Sequence, residues 1–346
     1  MAEGRNMLFV FILVLCWTSG TGQDACSTGL CQCKPRVAYC IHTNLTYIPK
    51  FPPGIRVIYF KYNYLPHISP TTVLNISNTG VSHLFLNENE IQYIDENVFQ
   101  NLSRIYHLDL SYNRLISDSL RNVFSSFQRN SELSIIDAKH NRLKDIPPDV
   151  FEDFKSSKRI SLDLSHNEIQ LLNISSFNGI QKLVLLDVSH NEIATVITGF
   201  NQHLQSISLE NNNLFDLPDF CKYGNPFPEL IRMYLQTNRI VNIVPEYLNC
   251  LESLESLYLD ANSISLLKTD NFYSFKSLSF LTISKQSGVS PLYIQERAFN
   301  NSKIQYLNLL RNQLMTNTIN EHSFDGCDGL EKLDLSQKIF LKKRKN

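Results

Sequence analysis

The sequence predicts an α/β solenoid, a horseshoe with a parallel β-sheet on its concave side and a cysteine-rich cap at its N-terminus. Three observations predict it. The stretch Leu254-Glu255-Ser256-Leu257-Tyr258-Leu259-Asp260-Ala261-Asn262-Ser263-Ile264 reads L-x-x-L-x-L-x-x-N-x-I, and its frame returns from Ile55 nearly to the last residue. An asparagine holds the ninth place of most copies. An apolar residue, usually Phe, follows about ten residues behind each asparagine.

The asparagine anchors are Asn63, Asn89, Asn113, Asn141, Asn167, Asn191, Asn212, Asn238, Asn262 and Asn312; Gln286 and Lys338 fit the period without the Asn. The spacings run from 21 to 28 residues, the period of a leucine-rich repeat. About 12 repeats fill residues 55–340. Alternation inside the motif predicts a short strand, with Leu257 and Leu259 inward and Tyr258 and Asp260 outward. The anchor side chain bonds backbone groups of the turn after the strand, as an Asx-turn does. Left unpaired, each such buried group costs roughly 1–3 kcal/mol. Phe99, Phe124, Phe151, Phe177, Phe200, Phe272, Phe299 and Phe324 are expected to stack behind the strands as a spine. No coil buries its apolar face alone, so each needs its neighbours.

At the N-terminus, an eleven-residue apolar run, Met7 to Trp17, sits behind Arg5 and before Thr18-Ser19-Gly20-Thr21-Gly22. It predicts a secretory signal over 1–22 that takes Cys16 with it; a membrane span needs about 20 apolar residues. Residues 23–54 then form the cap. Cys26, Cys31, Cys33 and Cys40 crowd into fifteen residues, and export makes them a disulfide cluster with three pairings open. The open apolar end of the first coil needs such a cover.

The coils are not uniform. Arg159 stands where the fifth expects Leu, and Ile160 beside it compensates by a small shift. Leu217-Pro218-Asp219-Phe220-Cys221-Lys222-Tyr223-Gly224-Asn225-Pro226-Phe227-Pro228 predicts a loop off the convex side. Cys221 in it and Cys250 one coil on are close enough for a disulfide; the alternative is two free thiols. In the tenth coil Gln286-Ser287-Gly288-Val289 is either drift or a local bend at a binding surface. Five acceptors for N-glycans, Asn44, Asn75, Asn101, Asn173 and Asn300, all fall between the strand motifs or before them.

A ligand on the sheet meets its outward positions. The central column runs Tyr59, Phe85, Asp109, Asp137, Asp163, Asp187, Ser208, Tyr234, Tyr258, Thr282, Asn308, Asp334. The four successive Asp form a stripe that attracts a basic partner, or else bond locally in their own turns. Tyr234 and Tyr258 are neighbouring aromatics of the kind that anchor contacts. The candidate ligand surface is therefore Asp109, Asp137, Asp163, Asp187, Tyr234 and Tyr258. His140, His166 and His190 share the column before the anchor, as a pH sensor or as plain turn residues.

Net charge is −1, but Lys338 to Asn346 carry five basic groups and the rest of the chain sums to −6. A mildly acidic body gives no nucleic-acid signature. No G-x-S-x-G, H-E-x-x-H or phosphate loop appears, so no enzyme, cofactor or metal site is expected. The last coil stops in a basic tail over 341–346, without a second cysteine cap or a membrane span. A solenoid needs a terminal cap, so a truncated form of a longer receptor is expected. Cys327 sits at an apolar position and is expected to be buried.

With signal, cysteine cap, 24-type repeats and Phe spine together, the chain resembles the extracellular part of a Toll-like receptor. Leu108-Asp109-Leu110-Ser111-Tyr112-Asn113, Leu162-Asp163-Leu164-Ser165-His166-Asn167 and Leu186-Asp187-Val188-Ser189-His190-Asn191 carry the likeness. The resemblance implies a secreted or membrane-anchored pattern-recognition protein of innate immunity. It also implies a protein or microbial ligand on the concave or lateral face, and receptor dimerisation. The family's membrane span and cytoplasmic signalling domain have no counterpart here. An extracellular matrix or adhesion protein binding collagen or growth factors is the alternative, although the serine-glycine attachment cluster and C-terminal cysteine cap that would favour it are not found. An enzyme inhibitor on the same fold is a third class.

Overall fold

The computed structural model describes residues 23–77, 79–127, 132–154, 156, 158–287 and 291–336. The leader expected over 1–22, the tail expected over 341–346, and positions Gly288, Val289 and Lys338 lie outside them.

Each motif forms the strand its alternation demands. In Ser256–Tyr258 the central Leu257 is buried while Ser256 and Tyr258 face outward, half-buried. A return path of some twenty residues brings the chain back to the same edge, which makes the pairing parallel. The result is a 14-stranded sheet from Gln32–Lys34 to Lys332–Asp334. Only its first pair is antiparallel: Gln32–Lys34 against Val37–Ile41, in the cap. The outward column predicted from the motif is in register throughout, from Tyr59 through Asp163 and Asp187 to Asp334.

The anchors join one coil to the next. Asn238 donates through Nδ2 to Leu235 O of its own coil and to Leu209 O of the preceding one. Its Oδ1 accepts from Leu214 N, again in the preceding coil. Asn113, Asn141, Asn167, Asn191, Asn212 and Asn262 repeat the pattern. Gln286 keeps it with one more methylene, accepting from Ile264 N and donating to Leu259 O. The tenth coil therefore preserves the ladder at the anchor itself. The residue before the anchor is left-handed in every coil from Tyr62 to Arg311. That conformation costs a non-glycine residue roughly 1–2 kcal/mol, and the ladder bonds offset it.

Coil length decides what forms on the back. The longest coil, from Asn113 to Asn141, fits the helix Ser117–Ser125, whose Leu120, Val123 and Phe124 face the core at helical spacing. Shorter coils pair small strands instead, as Leu171–Asn173 does with Thr195–Ile197. Phe99, Phe124, Phe151, Phe177, Phe272 and Phe299 are buried as the spine requires, and Phe324 is half-buried. Phe200 is not part of it: it is 50% exposed. Its coil is the 21-residue one, and Asn201 N bonds Pro226 O, so the back of this coil is held by the following loop and not by an inserted ring. Phe220 and Phe227 of that loop are buried instead, edge to face at 5.4 Å. Ile160 takes the buried place that Arg159 cannot, and a bulge between Leu183 and Leu185 on the next strand absorbs the change.

The cap closes the first coil. Disulfides Cys26–Cys33 and Cys31–Cys40 tie its hairpin, and Ala38 and Cys40 pack inward in register with Ile58 and Phe60. Cys221–Cys250 clamps the proline-rich loop to the coil beyond it. Cys327 is half-buried, its Sγ 3.0 Å from Phe299 O, and burial pushes its thiol up to about 11. In the last described coil Leu333 and Leu335 stand at inward positions but are 38% and 37% exposed.

Asn238→Ala leaves Leu214 N without its acceptor and takes one of two anchor donors from each of Leu209 O and Leu235 O. Urea unfolding should show a loss of roughly 2–4 kcal/mol, well above the loss for the exposed Asn225→Ala. Equal losses at the two sites would remove the ladder from its place as the joint between coils.

Candidate functional site

The register of the sheet turns outward residues into continuous columns about 4.8 Å apart from strand to strand. Three zones result. At the N-terminal end Tyr39, Tyr59 and Phe85 stack at 5.1 and 4.6 Å, and His107 meets Phe85 edge-on at 4.9 Å. Lys34 and Lys61 lie over these rings. At the C-terminal end Tyr234 and Tyr258 stack at 4.6 Å, and Phe280 and Tyr306 stack at 4.4 Å. A tilted Tyr258–Phe280 contact of 5.3 Å joins the two pairs, and Lys332 caps the row 5.1 Å from the Tyr306 ring. Stacked rings on a rigid sheet lose little freedom on binding and present edges and hydroxyls to a ligand.

The acidic stripe lies between. Asp163 and Asp187 each accept the amide of the residue two ahead, Ser165 N and Ser189 N, at 2.9 Å. Asp109 does the same with Ser111 N and Ser111 Oγ, and it is buried. Asp109 is therefore a turn residue and not part of an exposed stripe; it stands in register between Phe85 and Asp137. Lys139 reaches Asp137 at 2.8 Å and Asp163 at 3.8 Å. Burial lifts the Asp137 carboxyl above its ordinary range against the pull of the Lys139 hydrogen bond, and that same bond raises the Lys139 ammonium. The local bonding expected as the plainer reading is thus present, and each of Asp163 and Asp187 keeps a second oxygen toward the concave space.

The candidate surface predicted from the sequence lies on the central column alone. Phe280, Tyr306 and Tyr39 were missed, although the first outward place of each motif, as in Leu278-Ser279-Phe280-Leu281, would have marked Phe280 and Tyr306. The ladder runs diagonally from the central column to that first one, a path set by the size of Thr282. Thr282 is small and buried, its hydroxyl on Asp260.

The histidines form a different surface. Tyr112, His140, His166 and His190 stack in sequence at 4.1, 4.0 and 4.1 Å. Asn211 Nδ2 meets His190 Nδ1 at 2.6 Å. All five precede an anchor and are left-handed, a conformation in which His and Asn are enriched. Parallel rings do not converge their nitrogens, and no group of described residues has the arrangement to hold a metal ion. His140 and His166 are both held below the ordinary imidazole value, first by burial, then by Lys139 for His140 and by its two histidine neighbours for His166.

The glycan acceptors all lie off the concave sheet. Asn44, Asn75 and Asn101 are exposed, and Asn173 and Asn300 half-buried. Asn75 Nδ2 donates to Ile48 O at 3.0 Å, and Asn300 Nδ2 to Asp270 Oδ1 at 2.7 Å. Asn173 uses only its oxygen, on Ser175 N.

Comparison with known proteins agrees with this architecture. A family profile described as leucine rich repeat matches residues 53–115, 202–264 and 228–286. Lumican of Homo sapiens is 29% identical over 280 residues, covering 74% of this chain and 78% of lumican. Fibromodulin of Bos taurus is 28% identical over 288 residues, covering 70% of this chain and 68% of fibromodulin. Among solved structures, a chain of the Drosophila Toll–Spatzle complex aligns with a TM-score of 0.60 at 18% identity, over 80% of this chain and 38% of that one. At that identity the likeness is one of fold.

The histidine stack makes stability depend on pH. The unfolded chain takes up these two protons near pH 6.5, while the folded chain takes them up only lower. The contribution is full above that pH and is lost as pH falls below it. Proton NMR should put the His140 and His166 midpoints below 6.5. The unfolding midpoint in urea should drop on going from about pH 7 to about pH 5.5, and His166→Asn, which tolerates the same backbone, should shrink the drop. A drop of the same size in the variant would clear the stack of this role.

Proposed function

We propose that this leucine-rich-repeat protein is an extracellular binding protein that takes a protein ligand on its concave face, in the manner of matrix or adhesion repeat proteins. The observation that carries this is the row Tyr234–Tyr258–Phe280–Tyr306 with Lys332 at its end. Aromatic residues fixed in a row at the bottom of a concavity are where binding energy concentrates. Lumican and fibromodulin, both matrix proteoglycans, support the matrix reading. Three disulfides fit an oxidising, extracellular location. No helix of the described residues is long and apolar enough to cross a membrane.

The second reading is recognition of a microbial product or receptor partner in innate immunity, and one observation favours it. The coils vary from 21 to 28 residues, which gives the back of the solenoid the unequal helix and strand inserts described above. Resemblance to Toll extends to fold, so this reading stands behind the first.

Glycans extend the proposal. With their Nδ2 atoms unengaged, Asn44, Asn101 and Asn173 are the expected carriers; Asn75 and Asn300 would first have to release Ile48 O and Asp270. All five positions leave the concave face open. Enzymatic release in heavy-oxygen water followed by peptide mass spectrometry should mark the first three more fully than the other two.

Binding is tested with the secreted, folded protein on surfaces coated with fibrillar collagen, and in parallel with bacterial lipopeptide. Saturable binding to collagen that Tyr258→Ala weakens roughly tenfold or more, with Tyr64→Ala as an off-sheet control, is the expected result. Tyr258-dependent binding to the lipopeptide alone would transfer the function to the second reading. Binding to either that ignores Tyr258 would move the site off the concave face.

A further inference from the structure

Between the two aromatic zones the sheet holds a trough of about 450 Å³. Its floor is the strand Ser206–Ser208, where two small residues replace the Asp or aromatic side chains of other coils. On one side Leu185 and Asp187 stand in register with Ser206 and Ser208. On the other stands Tyr234, in register with Ser208. Tyr258 covers one face of the Tyr234 ring, so the opposite face fronts the trough. Leu185 is 44% exposed there although it sits at the centre of the sheet.

Two carboxylates of the trough, Asp187 and Glu210, are acceptors without a described cation. Asp187 spends one oxygen on Ser189 N and keeps the other. Asp163, at the far edge, has Lys139 only at 3.8 Å. Glu210 accepts from Gln236 Nε2 at 2.7 Å, and no described cation pairs with Glu210 or Asp187. Gln236 turns its other end inward: its Oε1 is buried and has no hydrogen-bond partner. Arg232 is two residues before Tyr234 on the same face, but it does not line the trough. It stands in register with Ser206, and its charge disfavours a second cation at that end of the floor strand.

We infer that this trough is a socket for one arginine side chain of a polypeptide ligand. The inference rests on the concave face being the binding face. A guanidinium matches the surroundings in three ways. Its plane stacks on the free face of Tyr234, its stem packs on Leu185, and its five donors address the carboxylates of Asp187 and Glu210 together. A lysine ammonium satisfies the charge but neither the stacking nor the spread of acceptors. The aromatic rows on either side then meet the residues flanking the arginine.

The test uses fluorescein-labelled Gly-Ala-Arg-Ala-Gly-amide and its lysine and citrulline counterparts, with binding to the secreted protein read by anisotropy at low salt. The arginine peptide should bind at least about tenfold more tightly than the citrulline peptide, and more tightly than the lysine peptide. Asp187→Asn keeps the oxygen that accepts Ser189 N, and Glu210→Gln keeps an acceptor for Gln236, so both variants retain their local turns. Each should weaken the arginine peptide about tenfold, with circular dichroism and unfolding midpoint unchanged, while Tyr39→Ala leaves it alone. Equal binding of the arginine and citrulline peptides, unchanged affinity in Asp187→Asn, or no arginine-peptide binding at millimolar concentration overturns the socket. If collagen binding depends on Tyr258 while the peptides are not distinguished, the socket alone falls. If the peptides are distinguished and no macromolecular ligand needs Tyr258, the socket stands and the proposed function falls.

Discussion

The structure depends on a side-chain amide that belongs to two coils at once. Each anchor donates to the strand carbonyl of the coil before it and accepts an amide from that coil's turn, as Asn238 does with Leu209 O and Leu214 N. The bonds repeat wherever an anchor stands, so the coils are locked in register whatever their length. This is why a coil of 21 residues and one of 28 sit in one sheet without a break. It is also why eleven residues before the anchors, among them β-branched Thr237, hold a left-handed backbone. The turn that brings the amide inward demands it, and buried pairing supplies the compensation.

Function follows from that register. Outward side chains in successive coils are forced into contact distance, so what each column carries is read as a stack and not as isolated residues. Where the column holds rings, they become ladders, at Tyr39–Tyr59–Phe85 and at Tyr234–Tyr258–Phe280–Tyr306. Where it holds carboxylates, the same closeness is managed by spending one oxygen of each on its own turn and by placing Lys139 between two of them. Where it drops to serine, a trough opens. One constraint thus produces rigid aromatic anchors, a moderated acidic centre and a cation-sized space on a single face.

The lateral edge shows the same rule with a plainer outcome. His140, His166 and His190 stack because the left-handed position favours polar rings and the register lines them up. Their shared burial holds two of the imidazoles neutral to lower pH than usual, a consequence of packing that needs no ligand. The irregular coils are equally local. A bulge at Leu183–Leu185 absorbs Arg159, Gln286 stretches to replace an asparagine, and a disulfide pins the loop that follows the shortest coil.

Much of this was legible in the sequence. Periodicity is a local property repeated many times, so the inward Leu pairs, the anchors and the outward central column could be assigned from spacing alone, and the sheet places that column in register. What spacing cannot carry is the contact between coils. Only the folded chain decided which cysteines of the cap join, that Phe200 faces solvent while Phe220 and Phe227 are buried, and that Asp109 is covered. It alone brought Phe280 and Tyr306 into line with Tyr234 and Tyr258, because that row crosses from one column to another where Thr282 is small. A repeat determines where each residue stands in its own coil; which neighbour it meets depends on the volume of side chains a whole coil away, and that is a property of packing.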